Sequence, residues 1–93
     1  MIISFANSET ERIFKGYASK KIPTEIRKRA MKKLEFVNAA QKVEDLLNPP
    51  GNRLHKLSGD RDGKYSISID MQFRIVFIFK NGNAEQVEIV DYH

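Results

Sequence analysis

The chain has no cysteine, and that one absence removes disulfide scaffolds, thiolate zinc centres and cysteine nucleophiles. It also suits a reducing compartment, so a cytoplasmic location is expected. No stretch approaches the roughly 20 apolar residues that span a bilayer. The opening Met1-Ile2-Ile3-Ser4-Phe5 has neither a basic lead nor a small-residue cleavage site, so no membrane role and no secretory leader are expected. Histidine is almost as scarce, with only His55 and His93. Nothing fixes the ligand spacing that a metal site needs, so no metal or other cofactor is expected. The spacing of a phosphate-binding P-loop and the twelve-residue ligand pattern of a calcium loop are missing too, as are repeats and low-complexity segments.

What is present is enough for one domain over residues 1–93, with 41% hydrophobic residues and room for a modest core. Sixteen Lys+Arg against twelve Asp+Glu give a formal charge of +4 and a pI near 9.5, a balance that favours a polyanionic partner. The cations concentrate in Lys20, Lys21, Arg27, Lys28, Arg29, Lys32 and Lys33, against the single acid Glu25. A solvated helix face and a surface for nucleic acid or an acidic protein both account for such a run. Lys56 and Arg61 are the cations of the later loop.

Periodicity divides the chain into a helical first half and a strand-rich second half. Met1 to Phe5 is a short apolar run that suits a β-strand, edge or central. Ser8-Glu9-Thr10-Glu11 fits a capping box with Ser8 as N-cap, opening a short helix that carries Ile13, Phe14 and Tyr17 and contains Gly16. Pro23 suits the first turn of a second helix, whose apolar stripe of Ile26, Ala30, Leu34 and Val37 continues towards Leu46 and Leu47. Asn48-Pro49-Pro50-Gly51 ends it. Tyr65, Ile67 and Ile69 then alternate with Ser66, Ser68 and Asp70, and a second strand follows from Phe73 to Phe79.

Asn81-Gly82 is the favoured dipeptide of a type I′ hairpin, because both central residues need positive φ. With these as the loop, Lys80 pairs with Asn83, Val76 with Val87 and Arg74 with Ile89, so Arg74, Ile89, Asp91 and His93 are expected on one face. Arg74 beside Asp91 reads as a structural ion pair or as part of a site. The chain then closes on a carboxylate, a phenol and an imidazole in Asp91-Tyr92-His93. Histidine suits proton transfer near neutral pH, which raises the question of whether the fold brings His55 to His93. Between them, Gly59 and Gly63 bracket Asp60-Arg61-Asp62, a composition that suits a tight solvent-facing turn between strands.

Taken in order, Leu54-His55-x-Leu57-x-Gly59-Asp60-Arg61-x-Gly63-x-Tyr65-Ser66-Ile67, Phe73-Arg74-Ile75-x-Phe77 and Asp91-Tyr92-His93 resemble the HigB toxins, the host-inhibition-of-growth branch of the RelE/ParE superfamily. The resemblance covers essentially the whole chain. It implies an α+β, RelE-like (microbial RNase-like) fold, with two N-terminal helices packed on a twisted antiparallel sheet. It further implies the toxin of a type II toxin–antitoxin system, an endoribonuclease that cuts messenger RNA on the ribosome. A HigA-type helix-turn-helix antitoxin would neutralise it and would supply any contact with operator DNA. The family's catalytic set falls on His55, Asp91, Tyr92 and His93. Two departures are visible: Lys56 stands where many relatives have proline, and Ser58 where some carry a basic residue.

The chemistry can be argued without the family. Cleaving RNA through its 2′-hydroxyl needs a base, an acid for the 5′-oxygen, and cations or hydrogen-bond donors for the charge on the phosphorane. His55 and His93 are expected to divide the acid and base roles, Arg74 to hold the charge, Asp91 to orient a histidine or act as base, and Tyr92 to position a base of the RNA. Lys20, Lys21, Arg27, Lys28, Arg29, Lys32, Lys33, Lys56 and Arg61 would hold the RNA or ribosome through phosphates. The competing readings are a ParE-like gyrase inhibitor and a non-catalytic RNA-binding module.

Overall fold

The computed structural model describes residues 1–59 and 63–92. Two helices, α1 (Ser8–Phe14) and α2 (Thr24–Ala39), precede an antiparallel sheet of β1 (His55–Lys56), β2 (Tyr65–Ser68), β3 (Phe73–Lys80) and β4 (Asn83–Asp91), in spatial order β1-β2-β3-β4. The helices cover one sheet face. Ile67, Phe73, Ile75, Phe77 and Ile89 point towards them and join Ile13, Ala30, Leu34 and Val37 in the core. No helix among the described residues is long and apolar enough to cross a membrane.

The helix starts and stops are local. Asn7, not the expected Ser8, caps α1, its Oδ1 accepting from the Thr10 amide at 2.9 Å. Gly16 lies beyond the helix at φ +89°, where the Gly16 amide donates to Ile13 and the Tyr17 amide to Arg12. That is the glycine-dependent Schellman stop. In α2 the buried Ala30, Leu34 and Val37 follow the expected stripe, but the helix ends at Ala39 and a 3-10 turn, Val43–Leu47, follows. Asp45 accounts for the break by accepting from the Gln41 and Lys42 amides at 2.9 and 3.2 Å, an arrangement that opens a new turn. Leu46 still reaches the core, so the apolar spacing was real although the helix was not continuous.

The N-terminal residues run parallel to β4 through bridges Ile2↔Ala84 and Phe5↔Val87. Ile3 and Ala6 donate to the carbonyls of Ala84 and Val87, while the Ala84 and Val87 amides donate to Met1 and Ser4. Further along, the Ile89 amide donates to the buried Thr10 hydroxyl at 2.9 Å. The outer edge of β4 is thereby occupied, which removes a template for unwanted strand pairing.

The hairpin turn is the one expected, with Asn81 and Gly82 at φ 55° and 77° and Lys80 opposite Asn83. The register then slips. Ile78 pairs with Glu85 but Val76 pairs with Glu88, because Gln86, at φ 52°, forms a bulge whose amide donates to Ser4 Oγ at 2.8 Å. One extra residue exchanges the faces of everything beyond it. Arg74 therefore lies opposite Val90, while Ile89 faces Ile75 and Asp91 faces Phe73. The expected common face of Arg74, Ile89 and Asp91 is not formed.

Two tests follow from these local devices. Deleting Gln86 should abolish cooperative urea unfolding, because Val87 and Ile89 would turn out of the core, whereas Gln86→Gly should fold and gain up to about 1 kcal/mol from relief of positive φ. The amides of Gln41 and Lys42 hold the Asp45 carboxyl below its ordinary 3.8. Its stabilising contribution is thus present above that value and lost as pH falls through the lower folded-state value. Replacing Asp45 by Asn should flatten the acid limb of a stability-against-pH curve below about pH 4.

Candidate active site

The sheet face away from the helices carries the convergent polar groups. Antiparallel pairing places His55 opposite Ser66, Ser66 opposite Val76, and Ser68 opposite Arg74. Side chains alternate along each strand, so His55, Ser66, Ser68, Arg74 and Val90 share this face. Together with Arg53 and Tyr92, His55, Ser66 and Arg74 line a hollow of ≈ 340 Å³. A larger one of ≈ 610 Å³ lies on α2, but among the described residues no imidazole or phenol lines it. The smaller hollow is the candidate for chemistry because acid/base groups and a fixed cation meet there.

Arg74 is the fixed cation. Its Nε donates to Ser66 Oγ at 2.9 Å and one terminal nitrogen donates to the Arg53 carbonyl at 2.8 Å. Ser66 is fully buried, and both acceptors are neutral oxygens, so these contacts aim the guanidinium without cancelling its charge. The Tyr92 ring lies 5.7 Å from the guanidinium carbon, within cation–π range. Burial depresses the Arg74 pKa, the Tyr92 phenol works the other way, and neighbouring Arg53 depresses it further. An arginine nevertheless keeps its proton at any working pH. The result is a partly desolvated cation beside a second one, a combination that favours an anion.

His55 is solvent-exposed on the edge strand β1, rather than in a loop, with its ring at the hollow. Tyr92, expected as a site residue, reaches the hollow because the bulge puts Val90 on Arg74's face and the chain continues past it. Its amide donates to the Gln72 carbonyl at 2.7 Å. The same slip turns Asp91 to Phe73's side of the sheet, where its carboxylate accepts from Gln72 Nε2 at 3.1 Å. His93 lies outside the described residues, as do Asp60, Arg61 and Asp62.

The cations assigned to RNA separate into groups. Lys28, Arg29, Lys32 and Lys33 line the α2 hollow. Arg27 lines another hollow between the helices, Lys20 and Lys21 are exposed in the link between them, and Lys56 is exposed on β1. Arg53 and Ser66 were not anticipated. A signal existed for each: Arg53 precedes His55 by two residues, the spacing of one strand face, and Ser66 is a polar position in an otherwise isoleucine-rich alternation. Arg53 is presented from a left-handed conformation, φ 48°, at the end of the 3-10 turn Pro50–Asn52.

Ser66→Ala should strip Arg74 Nε of its acceptor, costing about 1.5–3 kcal/mol in urea unfolding. By NMR, the Arg74 Nε–H should exchange slowly with water in the parent protein and quickly in the variant. An unchanged exchange rate would mean that Ser66 does not hold the guanidinium.

Comparison with known proteins agrees with the architecture. Residues 3–93 match the HigB-like toxin family, described as the RelE-like toxin of the type II toxin–antitoxin system HigB. Similar proteins include Toxin HigB-1 of Vibrio cholerae, 41% identical over 63 residues covering 68% of this chain and 66% of that one. Endoribonuclease HigB of Proteus vulgaris is 32% identical over 93 residues and the full length of both. Among solved structures, the YoeB-YefM complex from Staphylococcus aureus superposes with a TM-score of 0.63 at 19% identity, covering 100% of this chain and 95% of that one, and so supports the fold. With its helices on one face of an antiparallel sheet and its match from residue 3 to residue 93, the chain belongs to the HigB-like toxin family.

Proposed function

We propose that this protein is a type II toxin that cleaves messenger RNA on the ribosome by acid/base catalysis at the hollow between β1 and the end of β4. The observation that carries this reading is the Arg74 guanidinium, aimed by Ser66 and the Arg53 carbonyl into a hollow shared with His55 and Tyr92. The endoribonuclease name of the Proteus vulgaris relative supports the same substrate.

In this reading the scissile phosphate sits against Arg74. As the 2′-oxygen attacks phosphorus, one imidazole takes its proton and another gives a proton to the departing 5′-oxygen, leaving a 2′,3′-cyclic phosphate and a 5′-hydroxyl. His55 is one of the two imidazoles. His93, the residue after Tyr92, is the other, and Asp91, turned to Phe73's side of the sheet, acts only by orienting His93. Arg74 meets the charge that grows on the phosphorane oxygens in a site already partly shielded from water, where a fixed cation acts most strongly. Tyr92 holds a base of the RNA next to the cut.

The partners of this reading are the ribosome and a helix-turn-helix antitoxin of the HigA type, and its location is the cytoplasm. An antitoxin partner is supported by the family description and by the toxin–antitoxin complexes among structures of this fold. A gyrase inhibitor would have no use for an imidazole and an oriented cation in one hollow.

Purified protein mixed with programmed ribosomes should cut the message at mapped positions and leave cyclic phosphate ends. His55→Ala should slow single-turnover cleavage by about 10²–10⁴-fold, and Arg74→Ala by about 10²–10³-fold. A 2′-deoxy nucleotide on the 5′ side of the cut should block cleavage there, and an unaltered rate would rule the mechanism out.

A further inference from the structure

The surplus charge is not spread evenly over the surface. The ≈ 610 Å³ hollow on α2 shares Arg29, Gly51 and Ile69 with a smaller one of ≈ 270 Å³ at the β2–β3 turn. That one in turn shares Arg53 with the hollow of His55 and Arg74. The three therefore lie side by side along shared walls, as one segmented groove. Among the described residues, six of those that line it are cations, Lys28, Arg29, Lys32, Lys33, Arg53 and Arg74, against the carboxylates of Glu25 and Asp70. Asp70 Oδ1 is already engaged by the amides of Gln72 and Phe73.

The groove also has an apolar floor. Phe36, Pro49 and Ile69 lie beneath the α2 cations, and Met71, 94% exposed, stands at the narrow middle section. A methionine so exposed contributes nothing to the core, but it offers a soft, adaptable contact for a flat ring. Lys33 is built in: its Nζ donates to Asn52 Oδ1 at 2.6 Å and lies 5.6 Å from the Phe36 ring centre. Asn52 is itself fully buried, tied through Nδ2 to the Leu46 and Asn48 carbonyls. Partial burial and the charges of Lys32 and Arg29 depress the Lys33 pKa, a strain that a bound anion would relieve. Cations that track a backbone beside apolar surfaces that take bases are the two requirements of a single-stranded nucleic-acid groove.

We propose that this groove is one continuous track for single-stranded RNA, running from the hollow of His55 and Arg74, over Arg53 and Met71, to a second nucleotide site on α2. There the half-buried Phe36 ring receives a base, and Arg29 and Lys33 hold phosphates. The assignment of the first hollow to the cut rests on the nuclease reading above; the extension to α2 rests on the shared walls, the charge and the apolar floor. Arg53 is the joint, its carbonyl fixing Arg74 and the residue lining both adjoining hollows.

Fluorescence anisotropy on the His55→Ala protein, with single-stranded RNAs of three and nine nucleotides, tests the track without reading cleavage. The nonamer should bind at least tenfold more tightly than the trimer. Arg29→Glu and Met71→Ser, both at exposed positions, should each weaken nonamer binding several-fold more than trimer binding. Arg29→Glu should also lower the salt slope of nonamer binding by about 0.7, the share of one phosphate contact on a single strand. Equal affinity for the two lengths, or equal weakening of both by the variants, would overturn the track. So would variants that bind the nonamer normally but no longer hold a co-expressed antitoxin, since the α2 hollow would then belong to that protein. Length dependence in a protein whose parent does not cut programmed ribosomes would uphold the track and remove the nuclease reading alone.

Discussion

The register of β4 is the constraint on which the site depends. An unbulged hairpin from Asn81-Gly82 would set Arg74 opposite Ile89 and leave Val87 on the solvent face, where neither core nor site could form. The bulge at Gln86 corrects both at once. It returns Val87 and Ile89 to the helix-covered face and leaves Val90 and Tyr92 to flank Arg74. Ser4 clamps it, its hydroxyl taking the Gln86 amide and its carbonyl the Val87 amide. Ser4 and Gln86, far apart in sequence, thus decide which side chains line the hollow.

The two faces of the sheet are built on different logic. The helix face is apolar and closely filled, and the largest of its fully buried side chains, Phe77, is flanked by Tyr65 and Phe79. The other face is polar but not loosely so, because Ser66 and Val76 are buried as deeply as core residues. Burying a serine hydroxyl is costly unless it is bonded, and here the bond goes to Arg74. The expense of a polar group in the interior is thereby converted into orientation of a cation at the surface.

Much of this was legible in the residues themselves. The stripe from Ile26 to Val37, the alternation around Ile67 and the Asn81-Gly82 turn are each local signals with one physical cause, and each appears at its expected place. The exceptions arose where a side chain competed with a periodic pattern. Asp45 ends α2 early although Leu46 continues the apolar spacing, and Asn7 displaces Ser8 as the cap. The β4 slip was visible in principle, since Ala84, Val87 and Ile89 break strict alternation between the first two and resume it after. His55, Arg74 and Tyr92 could be singled out from residue type and resemblance. Arg53 and Ser66 left only a spacing and a polar position as signals, because their roles arise from where a turn and a neighbouring strand deliver them, and the expected Asp91–Arg74 face failed with the register.

The pairing of the first residues with β4 also has a temporal side. Hydrogen bonds joining Met1 to Gly82 and Ser4 to Gln86 span more than eighty positions, so the segment that clamps the bulge is made long before its partner. During synthesis the helices can form from local contacts, but the sheet edge, the register and the surroundings of Arg74 wait for β4. Long loops close late because their ends must find one another before any contact rewards the search. A nascent chain would therefore carry His55 and Arg74 for some time before they are brought to one hollow, and that geometry would arrive as a single late event rather than by degrees.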